Sequence, residues 1–240
     1  MEDSSVMDSG ITSRKRISFG AEGLDRALNG GIPKGDVILV SGPTGSGKTI
    51  LSMQFLVEGA KKGEKGLFFA MEQKSSEVIE QFSAFDKNFI NLVNSGAIKL
   101  VDVQASDFDS FMGIISSEME SIGAERVVID SITYFQMFFG TSADIRKAII
   151  ETQFLIKQRK ATGLLVSEVQ YGKNYLSYFG VEEFITDGIV SLKAIKRLGG
   201  IVRGLRVIKM RNSSHMTKLC PMEITESGIV VYPENPMPLP

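Results

Sequence analysis

The segment from Gly42 to Thr49, which reads Gly-Pro-Thr-Gly-Ser-Gly-Lys-Thr, constrains the fold more than any other part of this 240-residue chain. It satisfies the pattern Gly-x-x-x-x-Gly-Lys-Ser/Thr of phosphate-binding loops, which connect a buried strand to the start of a helix. The apolar run 37–40 directly before it predicts that strand, and a helix is predicted from Lys48 to about residue 61. These residues favour an α/β protein that binds a nucleotide over a turn that is merely rich in glycine.

Each residue type in this loop has a physical task. The glycines let the backbone curl so that its N–H groups point inward, and the helix N-terminus behind them adds positive potential for a β-phosphate. Lys48 is expected to reach the β- and γ-phosphates, and the hydroxyl of Thr49 is expected to bind Mg²⁺. The predicted nucleotide-binding set in this segment is Gly42, Pro43, Thr44, Gly45, Ser46, Gly47, Lys48, Thr49 and Ile50.

Two carboxylates follow apolar strands elsewhere in the chain. Asp130 ends the strand 126–130 and is predicted to hold Mg²⁺ through water, with a cap for the next helix as the alternative. Glu72 follows the strand 67–70, whose carboxyl end is expected to lie beside that of strand 37–40. Glu72 is therefore the candidate for activating the attacking water, with a solvated loop residue as the alternative.

Apolar runs of strand length alternate with longer amphipathic stretches, which predicts a mostly parallel sheet flanked by helices. After residue 187 the period shortens, and short strands separated by Gly, Asn and Ser predict an antiparallel C-terminal section. We expect a flexible N-terminus over 1–16, one domain over 17–233, and a proline-rich, extended and poorly ordered tail over 234–240.

Composition excludes several classes of function. No apolar run approaches the ~20 residues needed to span a bilayer, and residues 1–10 have none of the features of a signal peptide, so neither membrane insertion nor export is expected. The single cysteine, Cys220, excludes a disulfide framework and favours a cytoplasmic protein. The single histidine, His215, excludes a zinc site built from several histidines.

The net charge of −1 hides an uneven distribution. The segment 188–222 has eight basic residues and no acidic one, which leaves 19 basic and 28 acidic residues in the remainder. Such a segment can bind nucleic acid, a phosphate or another subunit, or it can be a solvated face. The aromatic stretch 171–179 could stack on bases, but its single cation argues against DNA. The apolar stretch 134–139 could be a subunit contact or part of the core.

Together with the phosphate loop, several segments resemble the KaiC-type ATPases of the RecA superfamily. These segments are 19–25, 28–35, 71–73, 129–131 and 208–216, and the resemblance covers roughly 17–233. It implies a RecA-like P-loop core that binds ATP between neighbouring subunits of a ring, commonly a hexamer. It also implies that Lys209 and Arg211 reach the γ-phosphate of the next subunit, and that Ser213 and His215 lie near the same nucleotide.

The chain departs from the family pattern at three places. Gln73 stands where the family often has a second glutamate, so turnover is expected to be slow. Asn212 stands where glycine is common, and asparagine also tolerates left-handed backbone angles. Glu183 and Phe184 stand where the self-phosphorylating domain of the family has an adjacent Ser-Thr pair, so autokinase activity is not expected.

The expected function is Mg²⁺-dependent ATP hydrolysis at the subunit interfaces of a homo-oligomeric ring, with a regulatory or signalling role. In this hypothesis Lys48, Glu72, Lys209 and Arg211 are catalytic, and Thr49 and Asp130 hold the metal. Two alternatives stay open, namely a nucleotide-sensing scaffold with little turnover and a recombinase-like ATPase that binds DNA. An unidentified protein partner is compatible with each of them.

Overall fold

Strands and helices alternate along most of the chain, and the computed structural model describes residues 14–170, 175–197 and 200–238. The strands are β1 (Arg16–Ile17), β2 (Ile32–Pro33), β3 (Val37–Gly42), β4 (Gly66–Ala70), β5 (Ile98–Asp102), β6 (Arg126–Asp130), β7 (Thr162–Glu168), β8 (Gly188–Arg197), β9 (Gly200–Met210), β10 (Cys220–Thr225) and β11 (Gly228–Val231).

The helices cover the connections between the parallel strands. They are α1 (Leu24–Ala27), α2 (Lys48–Lys61), α3 (Ser75–Ser83), α4 (Phe89–Asn94), α5 (Phe108–Ile122), α6 (Ser142–Gln158) and α7 (Glu182–Ile185), with a 3₁₀ helix at Ile132–Met137. The amphipathic patterns of α2, α3, α5 and α6 predict these helices from the sequence, whereas α4, α7 and the 3₁₀ helix are too short to give a clear period.

Nine strands form one sheet in the order β11-β10-β9-β8-β3-β7-β6-β4-β5. The strands from β8 to β5 in this order are parallel, and β9, β10 and β11 add to the other side as antiparallel neighbours. The predicted fold class is therefore confirmed: a mostly parallel sheet flanked by helices, with an antiparallel C-terminal section.

The strand order corrects one expectation from the sequence. β4, which precedes Glu72, does not lie beside β3, because β7 and β6 lie between the two strands. The expectation fails because crossover connections in a parallel sheet let strands from later in the chain insert between earlier ones. All four strands still run parallel, so their carboxyl ends share one edge of the sheet.

Each face of the sheet has its own apolar core. On one face α2 contributes Leu51 and Phe55, which are fully buried. On the other face α5 and α6 contribute Phe111 and Ile149, also fully buried. The alternation along β3 fits this arrangement, since successive side chains of a strand point to opposite faces.

The apolar stretch 134–139 packs mainly in the core on the sheet face covered by α5 and α6. Phe135 is fully buried, and its ring centroid lies 5.2 Å from that of Phe111 and 5.6 Å from that of Phe108. Met137 differs from these neighbours because it is 71% exposed. Core packing therefore accounts for most of this stretch. Of the aromatic stretch 171–179, residues 171–174, which include its only cation, lie outside the described part of the chain.

Both ends of the described chain contact the fold. Arg14 forms an ion pair with Asp36 at 2.7 Å, so contacts with the domain begin before residue 17, where the domain is expected to start. Residues 1–13, which belong to the N-terminus expected to be flexible, lie outside the described range. The N–H of Met237 donates to the Leu219 carbonyl at 2.8 Å, so the tail is attached there although its prolines predict a poorly ordered end.

Arg126, at the start of β6, is the largest fully buried side chain in the described residues. Its Nε lies 2.6 Å from Glu64, its Nη1 donates to the Phe55 carbonyl of α2 at 2.8 Å, and its guanidinium stacks 4.7 Å from the ring centre of Phe55. Because α2 begins at the phosphate loop and β6 ends at Asp130, this contact fixes two parts of the candidate site against each other.

Replacing Glu64 tests the contribution of this buried contact. We expect Glu64→Gln to reduce the free energy of unfolding by roughly 1.5–3 kcal/mol, since the guanidinium loses its charged acceptor. The same substitution at Glu151, whose ion pair with Lys147 is exposed, should change it by less than about 0.5 kcal/mol. Urea unfolding of both variants measures the difference, and equal effects would contradict this role for Arg126.

Candidate active site

The phosphate loop connects β3 to α2, as its sequence predicts. The backbone φ angles of Gly45 and Gly47 are +74° and +99°, which glycine adopts without steric strain. The N–H of Ser46 donates to the Pro43 carbonyl at 3.1 Å and closes the turn. Ile50, in the first turn of α2, is half-buried against the core and anchors the start of that helix.

Lys48 turns back into the loop. Its Nζ donates to the carbonyls of Gly42 at 2.9 Å and Pro43 at 3.2 Å, and it lies 3.8 Å from a carboxylate oxygen of Glu168. Burial lowers the pKa of Lys48, while the charges of the surrounding carboxylates, first among them Glu168, oppose this effect. The ammonium group therefore lies among the loop carbonyls and three carboxylates at the carboxyl edge of the sheet.

Thr49 and Asp130 form the pair that the sequence predicts as a metal site. The Thr49 hydroxyl donates to Asp130 Oδ2 at 2.8 Å. Burial raises the pKa of Asp130, and the Thr49 hydrogen bond and the Lys48 charge counteract that rise. A hydroxyl and a carboxylate are the hard oxygen ligands that Mg²⁺ prefers when it is bound through one or two protein groups together with phosphates and waters. The described residues hold no larger cluster of ligating side chains.

Glu72 lies at the same site although two strands, β7 and β6, separate its strand β4 from β3. It lines a cavity of about 120 Å³ together with Thr49, Asp130 and Glu168. Partial desolvation raises the pKa of Glu72, and the negative charges of Glu168 and Asp130 raise it further. Its carboxyl is therefore shifted toward the range in which a group can accept a proton from water.

Glu168 is a site residue that the sequence reasoning did not single out. It ends β7, and β7 lies between β3 and β6, so its carboxylate meets Lys48 and accepts a 3.5 Å hydrogen bond from the Thr44 hydroxyl. Its sequence signal is the one that identified Asp130, an acidic residue at the end of an apolar strand. Using that signal requires knowing that β7 pairs with β3.

Three serine hydroxyls at this edge have unused hydrogen-bonding capacity. Ser41, Ser46 and Ser131 are buried, and within the described residues their side-chain oxygens have no hydrogen-bond partner. Ser41 precedes the phosphate loop, Ser46 lies in it, and Ser131 follows Asp130. Because buried polar groups are normally paired, the edge is suited to a polar ligand.

Lys209 and Arg211 lie at the opposite end of the sheet from the phosphate loop. The N–H of Arg211 donates to the Asp187 carbonyl, and the N–H of Asp187 donates to the carbonyl of Val37, where β3 begins. The phosphate loop follows Gly42, at the other end of β3, about 17 Å away for a six-residue strand. The structure therefore does not bring these cations to their own chain's phosphate loop.

Backbone carbonyls of α7 hold both cations. Lys209 Nζ donates to the Glu183 carbonyl at 2.8 Å, and burial, followed by the charge of Arg211, lowers the pKa of Lys209. The guanidinium of Arg211 donates to the Phe184 carbonyl at 2.8 Å and the Ile185 carbonyl at 3.3 Å. Lys209 is half-buried, whereas the side chain of Arg211 is 47% exposed although its guanidinium is hydrogen-bonded.

The segment after Arg211 carries the remaining predicted site residues. Asn212 has the expected left-handed conformation, with φ of 52°. Ser213 accepts a 2.8 Å hydrogen bond from Arg16, and His215 Nδ1 lies 3.2 Å from the carbonyl of Met216. The Arg16 contact keeps Ser213 on the side of Lys209 and Arg211, so its predicted role, like theirs, concerns another chain's nucleotide.

Fold and site together define a P-loop nucleotide-binding protein with a RecA-like α/β core. The family model of the KaiC ATPases matches residues 17–236. The UPF0273 protein PH0284 of Pyrococcus horikoshii is 32% identical over 238 residues, which cover 92% of this chain and 95% of that protein. The chain therefore belongs to the KaiC family of ATPases.

Two further comparisons agree with this family. The circadian clock oscillator protein KaiC of Synechococcus elongatus is 31% identical over 231 residues, which cover 91% of this chain and 44% of the clock protein. The crystal structure of the KaiC-like protein PH0186 from Pyrococcus horikoshii superposes with a TM-score of 0.83 at 32% identity, covering 91% of this chain and 99% of that one. Within the described ranges, no helix combines the length and apolar character required to cross a bilayer.

The cost of burying the charged carboxylate of Asp130 can be measured through the free energy of unfolding. Its folded-state pKa is raised, so the native state binds this proton more tightly than the unfolded chain does. The resulting loss of stability is absent below the unfolded pKa of about 4 and complete above the raised folded-state pKa. Without Mg²⁺ or nucleotide, we expect Asp130→Asn to be more stable than wild type at pH 8 by roughly 0.5–2 kcal/mol.

The gain of Asp130→Asn should shrink as the pH falls toward 4, because the wild-type carboxyl then takes up its proton. Urea unfolding over a series of pH values measures this dependence. Asp109→Asn is the matched control, since Asp109 is exposed and lies away from the site. A variant at position 130 that is less stable than wild type at pH 8 would contradict the proposed strain at this carboxylate.

Proposed function

We propose that this protein is a Mg²⁺-dependent ATPase that hydrolyses ATP between adjacent copies in a homo-oligomeric ring. The observation that carries the proposal is the placement of its cations at the two ends of the sheet. Lys48 lies in the phosphate loop, whereas Lys209 and Arg211 are held at the amino end of β3. A second copy can bring its Lys209 and Arg211 to the phosphate loop of the first copy. The first copy's own Lys209 and Arg211 do not reach that loop.

The phosphate loop and α2 bind the nucleotide in this proposal. Backbone N–H groups of the loop and the ammonium of Lys48 bind phosphate oxygens, in place of the carbonyls that Lys48 contacts within the chain. Thr49 and Asp130 are the residues that would hold Mg²⁺, which when bound supplies positive charge to the phosphate oxygens. Asp130 is then matched by a cation, which offsets the raised pKa of its carboxyl.

Glu72 orients the attacking water and accepts its proton. Its position in the cavity beside Asp130 and Glu168 and its raised pKa support this role. Gln73 lines the same cavity but cannot accept a proton, so Glu72 acts without a second acidic neighbour in sequence. We expect slow turnover from this arrangement.

Lys209 and Arg211 act on the nucleotide of the neighbouring copy. A guanidinium delivered in trans stabilises the charge that develops on the transferred phosphoryl group and can change the rate by about three to five powers of ten. Ser213 and His215 follow in the same segment and contact that nucleotide in the proposal. In the basic segment 188–222, Lys209 and Arg211 then form an interface for phosphate rather than a surface for nucleic acid, while Arg203 donates to the Gly45 carbonyl of its own phosphate loop at 3.4 Å.

Removal of the proposed water-activating group gives the first test of function. We expect Glu72→Gln to lower the rate of phosphate release by roughly 10²- to 10⁴-fold, because a glutamine cannot take the proton from water. Glu77→Gln, an exposed change in α3, is the matched control and should keep the wild-type rate. An unchanged rate in a folded Glu72→Gln protein would remove Glu72 from the mechanism. Wild-type protein that assembles with ATP but leaves it intact for hours would instead identify a nucleotide sensor.

Mixing of two inactive variants tests action in trans. In a closed ring each site combines the phosphate loop of one copy with the cations of the next. Arg211→Ala copies mixed equally with Glu72→Gln copies should therefore regain about a quarter of the wild-type sites. Phosphate release over a range of mixing ratios, with light-scattering mass to confirm co-assembly, measures this recovery. Co-assembled mixtures with no recovery would count against catalysis between copies.

A further inference from the structure

The carboxylate of Glu182 is fully buried at the start of α7. Its Oε1 accepts hydrogen bonds from the Ser167 hydroxyl at 3.0 Å and the N–H of Phe179 at 3.2 Å, and its Oε2 accepts one from the N–H of Val181 at 3.0 Å. All three donors are neutral, and no ion pair to Glu182 occurs among the residues that the structure describes. A buried carboxylate without a cation is costly for folding, so the need for a stable core does not explain it.

The contact with Ser167 ties α7 to the edge that carries the phosphate loop. Ser167 pairs with Ser41 of β3 and directly precedes Glu168, whose carboxylate lies 3.8 Å from Lys48. The Ser167 hydroxyl also accepts a 3.1 Å hydrogen bond from the N–H of Tyr178, so it holds the segment before α7 as well. The amino end of α7 is therefore fixed to a strand end that is part of the nucleotide site.

The carbonyls at the carboxyl end of α7 contact the proposed trans-acting cations. A four-residue helix leaves its carbonyls free of helical partners, and those of Glu183, Phe184 and Ile185 accept hydrogen bonds from Lys209 and Arg211 instead. Asp187, two residues further on, is within 3.7 Å of the Arg211 guanidinium. One short helix thus contacts β7 through the side chain at its first residue, and both proposed trans-acting side chains through its last carbonyls.

We propose that Glu182 is a positioning residue. It links the end of β7, beside the nucleotide site of its own chain, to Lys209 and Arg211, which this chain offers to the next copy. This inference rests on the proposed function. Ser167 and Glu182 hold α7 at one end, and the α7 carbonyls orient Lys209 and Arg211 at the other. A shift of Ser167 and Glu168 around the bound phosphates is transmitted to the neighbouring site through this helix. Consecutive sites in the ring are thereby coupled.

The test replaces Glu182 by its uncharged isostere. In Glu182→Gln the amide NH₂ faces either the N–H of Val181 or the N–H of Phe179, neither of which can accept a hydrogen bond, so at least one of the three hydrogen bonds is lost and α7 shifts. A displacement of about 1 Å at a group that contacts the reacting phosphate lowers the rate by up to about 10²-fold. We expect phosphate release by Glu182→Gln alone to fall roughly 10- to 100-fold, with the ring still assembled by light-scattering mass.

Subunit mixing separates positioning in trans from a loss of structure. Glu182→Gln copies have an intact phosphate loop and displaced cations, whereas Glu72→Gln copies have intact cations. An equal mixture should therefore recover toward about a quarter of the wild-type rate. Glu64→Gln is the control, because it weakens the buried Arg126 contact without touching α7, and any activity that it loses should not be recovered by mixing.

The outcomes distinguish the two proposals. Wild-type activity of Glu182→Gln, or a loss that Glu72→Gln copies do not recover although Arg211→Ala copies are recovered, overturns the role of Glu182 alone. Failure of both mixtures overturns catalysis between copies, and this inference with it. Should Glu182→Gln not fold by circular dichroism, Ser167→Ala removes the same link from the other side and is judged by the same outcomes.

Discussion

The parallel pairing of β3, β7, β6 and β4 is the constraint on which the candidate site depends. Its register sets Gly42 opposite Glu168, and Asp130 opposite Ala70, so the residues that end these strands meet along one edge. Negative charge accumulates there, and burial strengthens the mutual repulsion of the carboxylates. The same edge carries the phosphate loop and Lys48, so the carboxylates repel one another at the place proposed for Mg²⁺ and the phosphates.

The antiparallel pairing of β8 with β9 places other functional residues at the far edge of the sheet, away from the phosphate loop. β8 runs parallel to β3 and ends near the phosphate loop, and β9 then carries the chain back to the amino end of the sheet. Lys209 is the second-last residue of β9 and Arg211 directly follows the strand, where Met210 pairs with Gly188 of β8. A chain with this topology separates its own two sets of cations by the height of the sheet, whatever the side chains do.

The sequence predicts those parts of the site that depend on local chemistry. The phosphate loop, the start of α2 at Lys48 and the strand that ends at Asp130 follow from motif and hydrophobic pattern alone. Glu168 ends an apolar strand as Asp130 does, but its place beside Lys48 follows only from the pairing of β7 with β3, a contact between residues far apart in the chain. The expectation that β4 lies beside β3 is wrong for the same reason. Likewise α7 has four residues and no period, and only its tertiary contacts reveal what it holds.

In the proposed mechanism, the separation of Lys48 from Lys209 and Arg211 also makes the rate per chain depend on the concentration of the protein. When two chains must meet to complete one site, the fraction of complete sites is governed by mass action and falls as the protein is diluted. In that mechanism, a chain below the concentration at which copies associate would bind nucleotide without completing a site. The rate per chain would then rise with abundance until assembly is saturated, so synthesis and degradation of the protein would set a threshold for the proposed activity.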